Sequence, residues 1–217
     1  MRSKILTQSG FTLIEMIVSL ALFSVVVTVA VGALLMLVGT NEDLQGEQSV
    51  MTNLSFVLDS MTREIRTGTR YYCLSSDNFN TFIPGGSLEG LGENTRDCEN
   101  GSNNSVRFHG VAFIEAGNSI TGASASRIMY FYDRTQQQLF RQVGNSAPQS
   151  IVSTGLAIID ADMFVTGSEA VNIADTTPNT TQPTVTIHIE AIDLLDTGPD
   201  PKSYFVQTTV TQRALDI

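Results

Sequence analysis

From Phe11 to Val38 the chain runs 28 residues with a single formal charge, Glu15, and that run limits what the molecule can be. A helix crosses the hydrocarbon core of a bilayer in about 20 residues, so the segment is long enough to span a membrane. Arg2 and Lys4 precede it and no acid does. Positive charge ahead of a span predicts a cytoplasmic N-terminus and an exported remainder. A secretory signal peptide has a shorter apolar stretch, about 7–15 residues, with a small-residue cleavage site after it. Here the small residue at the polar-to-apolar switch, Gly10, stands before the run. An ordinary signal anchor explains the length and the flanking charges but not Glu15.

A carboxylate at the bilayer centre costs about 2.5–3.5 kcal/mol, and less toward an end. No basic side chain lies within helical reach of Glu15. Cleavage after Gly10 would create a cation one turn away, the α-amine of Phe11. Parallel helices staggered by about one turn would offer the same amine from a neighbour. Snorkelling to the interface is the alternative. The hexapeptide Gly10-Phe11-Thr12-Leu13-Ile14-Glu15, placed after a short basic leader and ahead of an apolar run, resembles the class III signal of type IV pilins and pseudopilins. The resemblance covers about the first 40 residues. It implies cleavage after Gly10 by a prepilin peptidase, N-methylation of Phe11 and a role for Glu15 in assembly. It also implies three partners: other pilin or pseudopilin subunits, an inner-membrane assembly platform, and membrane lipid before assembly. Gly32 stands where many major pilins carry proline. Glycine weakens a helix by about 1 kcal/mol relative to alanine, which leaves local unwinding there open.

Beyond the span, Val50, Leu54, Val57, Leu58, Met61 and Ile65 recur at offsets that trace one helical face. Gly39 and Gly46 are soft points, and Gly68 suits a helix end. One helix of about 85 Å is expected from Phe11 to Thr67. Strand signals follow: Val106–Ile114, Arg127–Tyr132, Leu139–Val143, the ambiguous Ile151–Ile159 and Met163–Val165, then Val185–Ile192 and Tyr204–Gln212. Val185, Ile187 and Ile189 should share one face, and Thr186, His188 and Glu190 the other. The expected class is α+β, a long helix packed on an antiparallel β-sheet head. The divisions are a leader at 1–10, a transmembrane or fibre-core half-helix at 11–38, an amphipathic half at 39–68 and a β-rich extracytoplasmic head at 69–217. Tyr130, Phe131, Tyr132 and Asp133, with Leu139, Phe140 and Arg141, resemble a hairpin of J-type minor pseudopilins and W-type minor pilins. Phe205–Arg213 is similar to the closing strand of that group.

Cys73 and Cys98 both follow the span, so an exported head would place them in an oxidising compartment. One pair allows one intramolecular disulfide; two buried free thiols are the alternative. The formal charge is −10, and loss of Arg2 and Lys4 with a leader makes it −12, which argues against nucleic acid as a broad-surface partner. No phosphate-binding Gly-rich loop, H-E-x-x-H or zinc-type cysteine spacing is present. No catalytic residue, cofactor or metal ligand is assigned. His109 and His188 read as surface or edge residues. Asp193, Asp196 and Asp200 carry oxygen ligands of the kind calcium takes, with a solvated hairpin as the simpler account. The sequence thus favours a non-enzymatic minor subunit of a type IV pilus or type II secretion pseudopilus. It would sit as a single-pass protein in the bacterial cell membrane and then in the fibre. A membrane-anchored binding protein or adhesin acting through its head is the alternative.

Overall fold

The computed structural model describes residues 10–74, 91, 94–98, 109–115, 127–168, 181–194 and 201–213. The chain divides into two compact units, Met1–Gln45 and Gly46–Ile217. Helix α1, Leu13–Thr67, begins in the first and ends in the second. It is helical through Gly32, Gly39 and Gly46, so none of the soft points breaks it.

In the first unit every residue from Phe11 to Gln45 is exposed. The hydroxyl-bearing side chains of the apolar run and just beyond it are nonetheless engaged. Ser19 donates to the Met16 carbonyl at 3.0 Å and Ser24 to Ala21 at 2.8 Å. Thr28 donates to Ser24 at 2.8 Å and Thr40 to Met36 at 2.9 Å. Back-bonding of this kind lets a polar side chain sit in an apolar surrounding without an unmet donor.

Among the described residues, the second unit holds the rest of α1 and eight strands. The buried residues of α1 are Val50, Leu54, Val57, Leu58, Met61 and Ile65, the six that the helical spacing selects. Two antiparallel sheets follow rather than one. The first runs β1 (Thr69–Leu74), β2 (Gly110–Ile114), β3 (Arg127–Asp133), β4 (Gln138–Val143) and β5 (Gln149–Ser150) in that order. The second runs β6 (Leu156–Thr166), β7 (Thr184–Asp193) and β8 (Ser203–Thr211). Helix and both sheets share one core, in which Val57, Phe113, Tyr130, Met163 and Ile187 are all buried. The first sheet also has a second covered face, where Leu74, Leu91, Ala112, Met129 and Phe131 cluster. Burial on both faces explains why β3 reads Arg-Ile-Met-Tyr-Phe-Tyr without alternation.

At the end of α1 the expected cap has a different cause. Gly68 does not adopt a left-handed φ. A Cβ there would lie 2.4 Å from the Phe113 ring, so close packing excludes a side chain. The Tyr71 hydroxyl lies within hydrogen-bond reach of the Ile65 and Gly68 carbonyls, and the Arg213 amide donates to the Arg66 carbonyl at 2.8 Å. One turn earlier Glu64 clamps the helix to the first sheet. Its carboxylate accepts Arg141 Nε and Nη2, both at 3.0 Å, and the Tyr130 hydroxyl at 2.7 Å. Burial opposes the charge on Arg141, but the bonds and charge of Glu64 outweigh it and raise the guanidinium pKa.

The two sheets meet along the edge of β6 that β7 leaves uncovered. Ile158 N–H donates to the Gln137 carbonyl at 2.9 Å, and Gln138 Nε2 donates to the Leu156 carbonyl at 3.3 Å. The Tyr132 hydroxyl reaches the Ile159 carbonyl at 2.7 Å. His109 Nδ1 is 2.9 Å from the Ala161 carbonyl, and because that partner only accepts, Nδ1 carries the proton. Cys98 N–H donates to the Val165 carbonyl at 2.9 Å, and Val165 N–H to Cys98 Sγ at 3.0 Å. The Asp97 carboxylate accepts the amides of Gly167 and Ser168, each at 2.7 Å. His109 is therefore no surface residue; it is 1% exposed and joins the sheets, while His188 is exposed.

Cys73 and Cys98 form a disulfide, Cα to Cα 5.3 Å, and both are buried in this seam. Tyr71 and Cys73 bracket Arg96 with backbone bonds of 3.1 and 2.9 Å, so residues 94–98 strap β1 to β6. The Gly/Asn-rich stretch between the cysteines lies largely outside the described residues. For a bridge spanning 25 residues the chain-entropy model gives roughly 3–4 kcal/mol. Cys73→Ser should therefore cost about 2–4 kcal/mol in chemical denaturation, and reductant should reproduce that loss in the parent chain but add nothing to the variant.

Tyr71 and Tyr130 supply a pH signature. Burial raises both phenols above their usual value near 10, and for Tyr130 the hydrogen bond and charge of Glu64 add to it. In the unfolded chain both ionise from about pH 10, while the native state keeps their protons. The unfolded state then binds fewer protons, and stability falls as pH rises. Arg127, lowered by burial to about 10, acts with the opposite sign over the same range. Two phenols outweigh one guanidinium, so stability should decline above pH 10 by about 1.4 kcal/mol per pH unit. Ultraviolet titration should show these two tyrosines ionising only with unfolding, and Tyr71→Phe should flatten the decline.

Candidate functional site

The distinctive chemistry lies at the start of α1. Gly10 and Phe11 are exposed and precede the helix, so the bond between them is in non-helical, accessible backbone. Phe11 is 80% exposed. Thr12 stands at the N-cap, and Glu15 is three residues on. The Glu15 amide approaches Thr12 Oγ1 at 3.4 Å. In return Glu15 Oε2 accepts the Thr12 amide at 3.3 Å and the Thr12 hydroxyl at 3.2 Å. This reciprocal arrangement is a capping box, which satisfies backbone donors that a helix start leaves open.

Glu15 thus has a partner that a search for basic residues overlooks. The signal was present as Thr-x-x-Glu directly ahead of an apolar run. The box and the expected pairing with an α-amine are compatible. An ionised carboxylate has about four acceptor positions, and both Thr12 bonds use Oε2. The carboxylate also faces the positive end of the helix dipole. Cleavage after Gly10 would leave the Thr12 amide in place and add an ammonium group one residue before it.

The surface behind this start is unusual for a soluble protein. Leu13, Leu20, Val29, Leu35 and Met36 are each more than two-thirds exposed. Continuous apolar surface of this extent marks contact with lipid or with protein. The helix is long and apolar enough to cross a membrane, which fits a single-pass membrane anchor.

Among the described residues, one group of metal-capable side chains occurs in the head, and it includes His109, which the sequence reads as a surface or edge residue. His109, Asp160 and Asp162 each bring one donor atom within 4.8 Å of the others. The bond from His109 to the Ala161 carbonyl already gives the imidazole a structural role. Asp196 and Asp200 lie outside the described residues, and Asp193 ends β7.

Removing the Thr12 hydroxyl tests the box. Thr12→Val should weaken the first turn by about 1 kcal/mol, seen in detergent micelles as roughly fivefold faster amide exchange at Ile14–Ile17, while Thr12→Ser should restore the parent rate.

Comparison with curated proteins and with solved structures gave no match. Residues 6–31 match the family model described as the prokaryotic N-terminal methylation motif. That match spans the leader end, Gly10, Phe11, the capping box and the first three-quarters of the apolar run, and stops well short of the head. The chain carries the class III signal of the type IV pilin-like family.

Proposed function

We propose that this protein is a minor structural subunit of a type IV pilus or type II secretion pseudopilus, and not an enzyme. In this reading a prepilin peptidase cuts after Gly10 and methylates Phe11. The N-terminus faces the cytoplasm and the head lies outside. Assembly then moves α1 from lipid into contact with the helices of other subunits, with an inner-membrane platform as the intermediate partner. The observation that carries the reading is a carboxylate held at the start of an otherwise uncharged, exposed apolar run, Phe11–Val38, in the first part of α1. Glu15 is positioned there by Thr12 and is available to an incoming ammonium. A buried ammonium and a buried carboxylate each offset the other's desolvation.

The J-type or W-type assignment rests on the β3–β4 hairpin and on β8. Both elements form. The hairpin's Tyr130 and Arg141 also have a structural duty, since they hold Glu64.

Glu15→Leu tests the mechanism. It makes the span more apolar, so insertion should survive, and the head, many residues away, should keep its disulfide. Fractionation of the native host should find the variant with the mass of a chain starting at Phe11, retained in the membrane and missing from fibres. Normal entry of the variant into fibres would refute pairing through Glu15. Parent protein in fibres that retained residues 1–10 would refute processing.

A further inference from the structure

The chain has 12 basic against 22 acidic side chains, yet several of the basic ones stand apart from any acid. Among the described residues, Arg63, Arg141 and Lys202 each pair with a carboxylate. Arg66, Arg70, Arg96 and Arg213 do not, and backbone contacts place these four along one end of the head. Arg66 lies in the last turn of α1, and the Arg213 amide donates to its carbonyl at 2.8 Å. Arg70 follows four residues on, in β1. Arg96 is bridged to Tyr72, two residues further, and its guanidinium carbon lies 5.9 Å from the centre of the Tyr72 ring. Arg66, Arg96 and Arg213 are exposed, and Arg70 is half-buried.

The described carboxylates near this end are committed to other groups. Asp59 pairs with Arg63 and Glu64 with Arg141. Asp97 accepts the Gly167 and Ser168 amides. Arg127 is close by, buried, with Nη2 donating to the Asn94 carbonyl at 3.1 Å. Burial lowers its pKa, the charge of Tyr72 raises it and the charge of Arg70 lowers it, so Arg70 stands within its electrostatic reach. Arg70 is also strained. Its φ is +57°, in the left-handed region, at the irregularity between Thr69 and Tyr72. Glycine adopts that conformation freely and arginine does not. Among the described residues no carboxylate pairs with Arg70 to offset the strain. Arg66 complements the negative end of the helix dipole, but the other three arginines lie outside the helix.

We propose that Arg66, Arg70, Arg96 and Arg213 form a docking site for a short acidic segment of a partner protein. A guanidinium matches a carboxylate through a planar two-point fork, and the Tyr72 ring steadies that of Arg96. The extent of the patch selects its occupant. A long polyanion would run off the four arginines onto a head with excess acid and be repelled there. A segment with two or three carboxylates stays within the patch. A two-fold contact of the chain with itself through this end would oppose arginine to arginine. All four residues belong to the second unit, so the site does not depend on how the apolar run of α1 is used.

The test uses the full chain in detergent micelles, a capped peptide with three glutamates spaced by serine, and a matched glutamine peptide. The glutamate peptide should shift the guanidinium Nε–H resonances of the four arginines and bind about tenfold more tightly than the glutamine peptide. Arg70→Gly should weaken binding about threefold and leave the melting temperature unchanged or higher, since it removes a side chain from a left-handed position. Arg66→Gln and Arg96→Gln should weaken binding to a similar degree. Arg134→Gln, which removes an exposed cation on the β3–β4 turn, should not. Equal affinity for the two peptides would overturn the proposal, as would Arg134→Gln weakening binding as much as Arg96→Gln. Arg70→Gly that lost stability and kept full binding would make Arg70 structural and overturn its place in the site. Inorganic phosphate displacing the peptide at the peptide's own concentration would overturn a peptide site in favour of a simple anion site. Heparin binding the same arginines more tightly than the peptide would overturn the short occupant in favour of a polyanion.

Discussion

An edge strand exposes a row of backbone donors and acceptors that water, another strand or side chains must satisfy. In this head the inner edge of β6 is satisfied by side chains and short backbone segments drawn from the other sheet. Gln138, Tyr132, His109, Cys98 and Asp97 meet it in turn along its length. Among the described residues no continuous ladder joins the sheets, so their relation depends on these individual bonds and on the core between them. The disulfide belongs to the same seam, since Cys98 both bonds Val165 and is tied to Cys73 in β1. Its stabilising effect therefore reaches past the loop it closes, to the contact that holds two sheets as one head.

Much of this head can be read along the chain, and the exceptions have physical causes. The stripe from Val50 to Ile65 was legible because one side of that helix is buried and the rest is not. β7 was legible for the same reason: Val185, Ile187 and Ile189 are buried, while Thr186, His188 and Glu190 are not. β6 was ambiguous because its pairing slips between Ile158 and Asp160. An irregularity of that kind exchanges the faces, so Leu156 and Ile158 are buried before it and Ala161, Met163 and Val165 after it. Alternation fails at the switch, and a single 11-residue strand looks like two fragments. The stretch from Ile151 to Gly155 is not strand at all. His109 was misread because its burial depends on a carbonyl 52 residues away, a contact that no local pattern encodes.

The start of α1 divides in the same way. Gly10, Phe11 and Glu15 stood out from composition and position. Thr12 did not, because its hydroxyl is ordinary until its spacing to Glu15 is considered. The match to the N-terminal methylation motif ends at residue 31, and the head must be understood from its own packing. The Glu64 clamp illustrates this. Tyr130 and Arg141 face each other across β3 and β4, and together they fix the helix through one carboxylate.

The apolar half of α1 has a property that matters under the proposed function, in which the segment has two alternative surroundings. The hydroxyls of Ser19, Ser24, Thr28 and Thr40 are engaged by carbonyls of the preceding turn, and the segment's one carboxylate is engaged in its own cap. Moving such a helix from hydrocarbon into a bundle of like helices exchanges no hydrogen bonds of those side chains. Lipid tails are as apolar as leucine, so the hydrophobic effect favours neither surrounding. What remains to discriminate between them is shape fit and the one charge near its tip. A segment built this way is solvated equally well by fat or by its own kind, and a small change in either contact can reverse its residence.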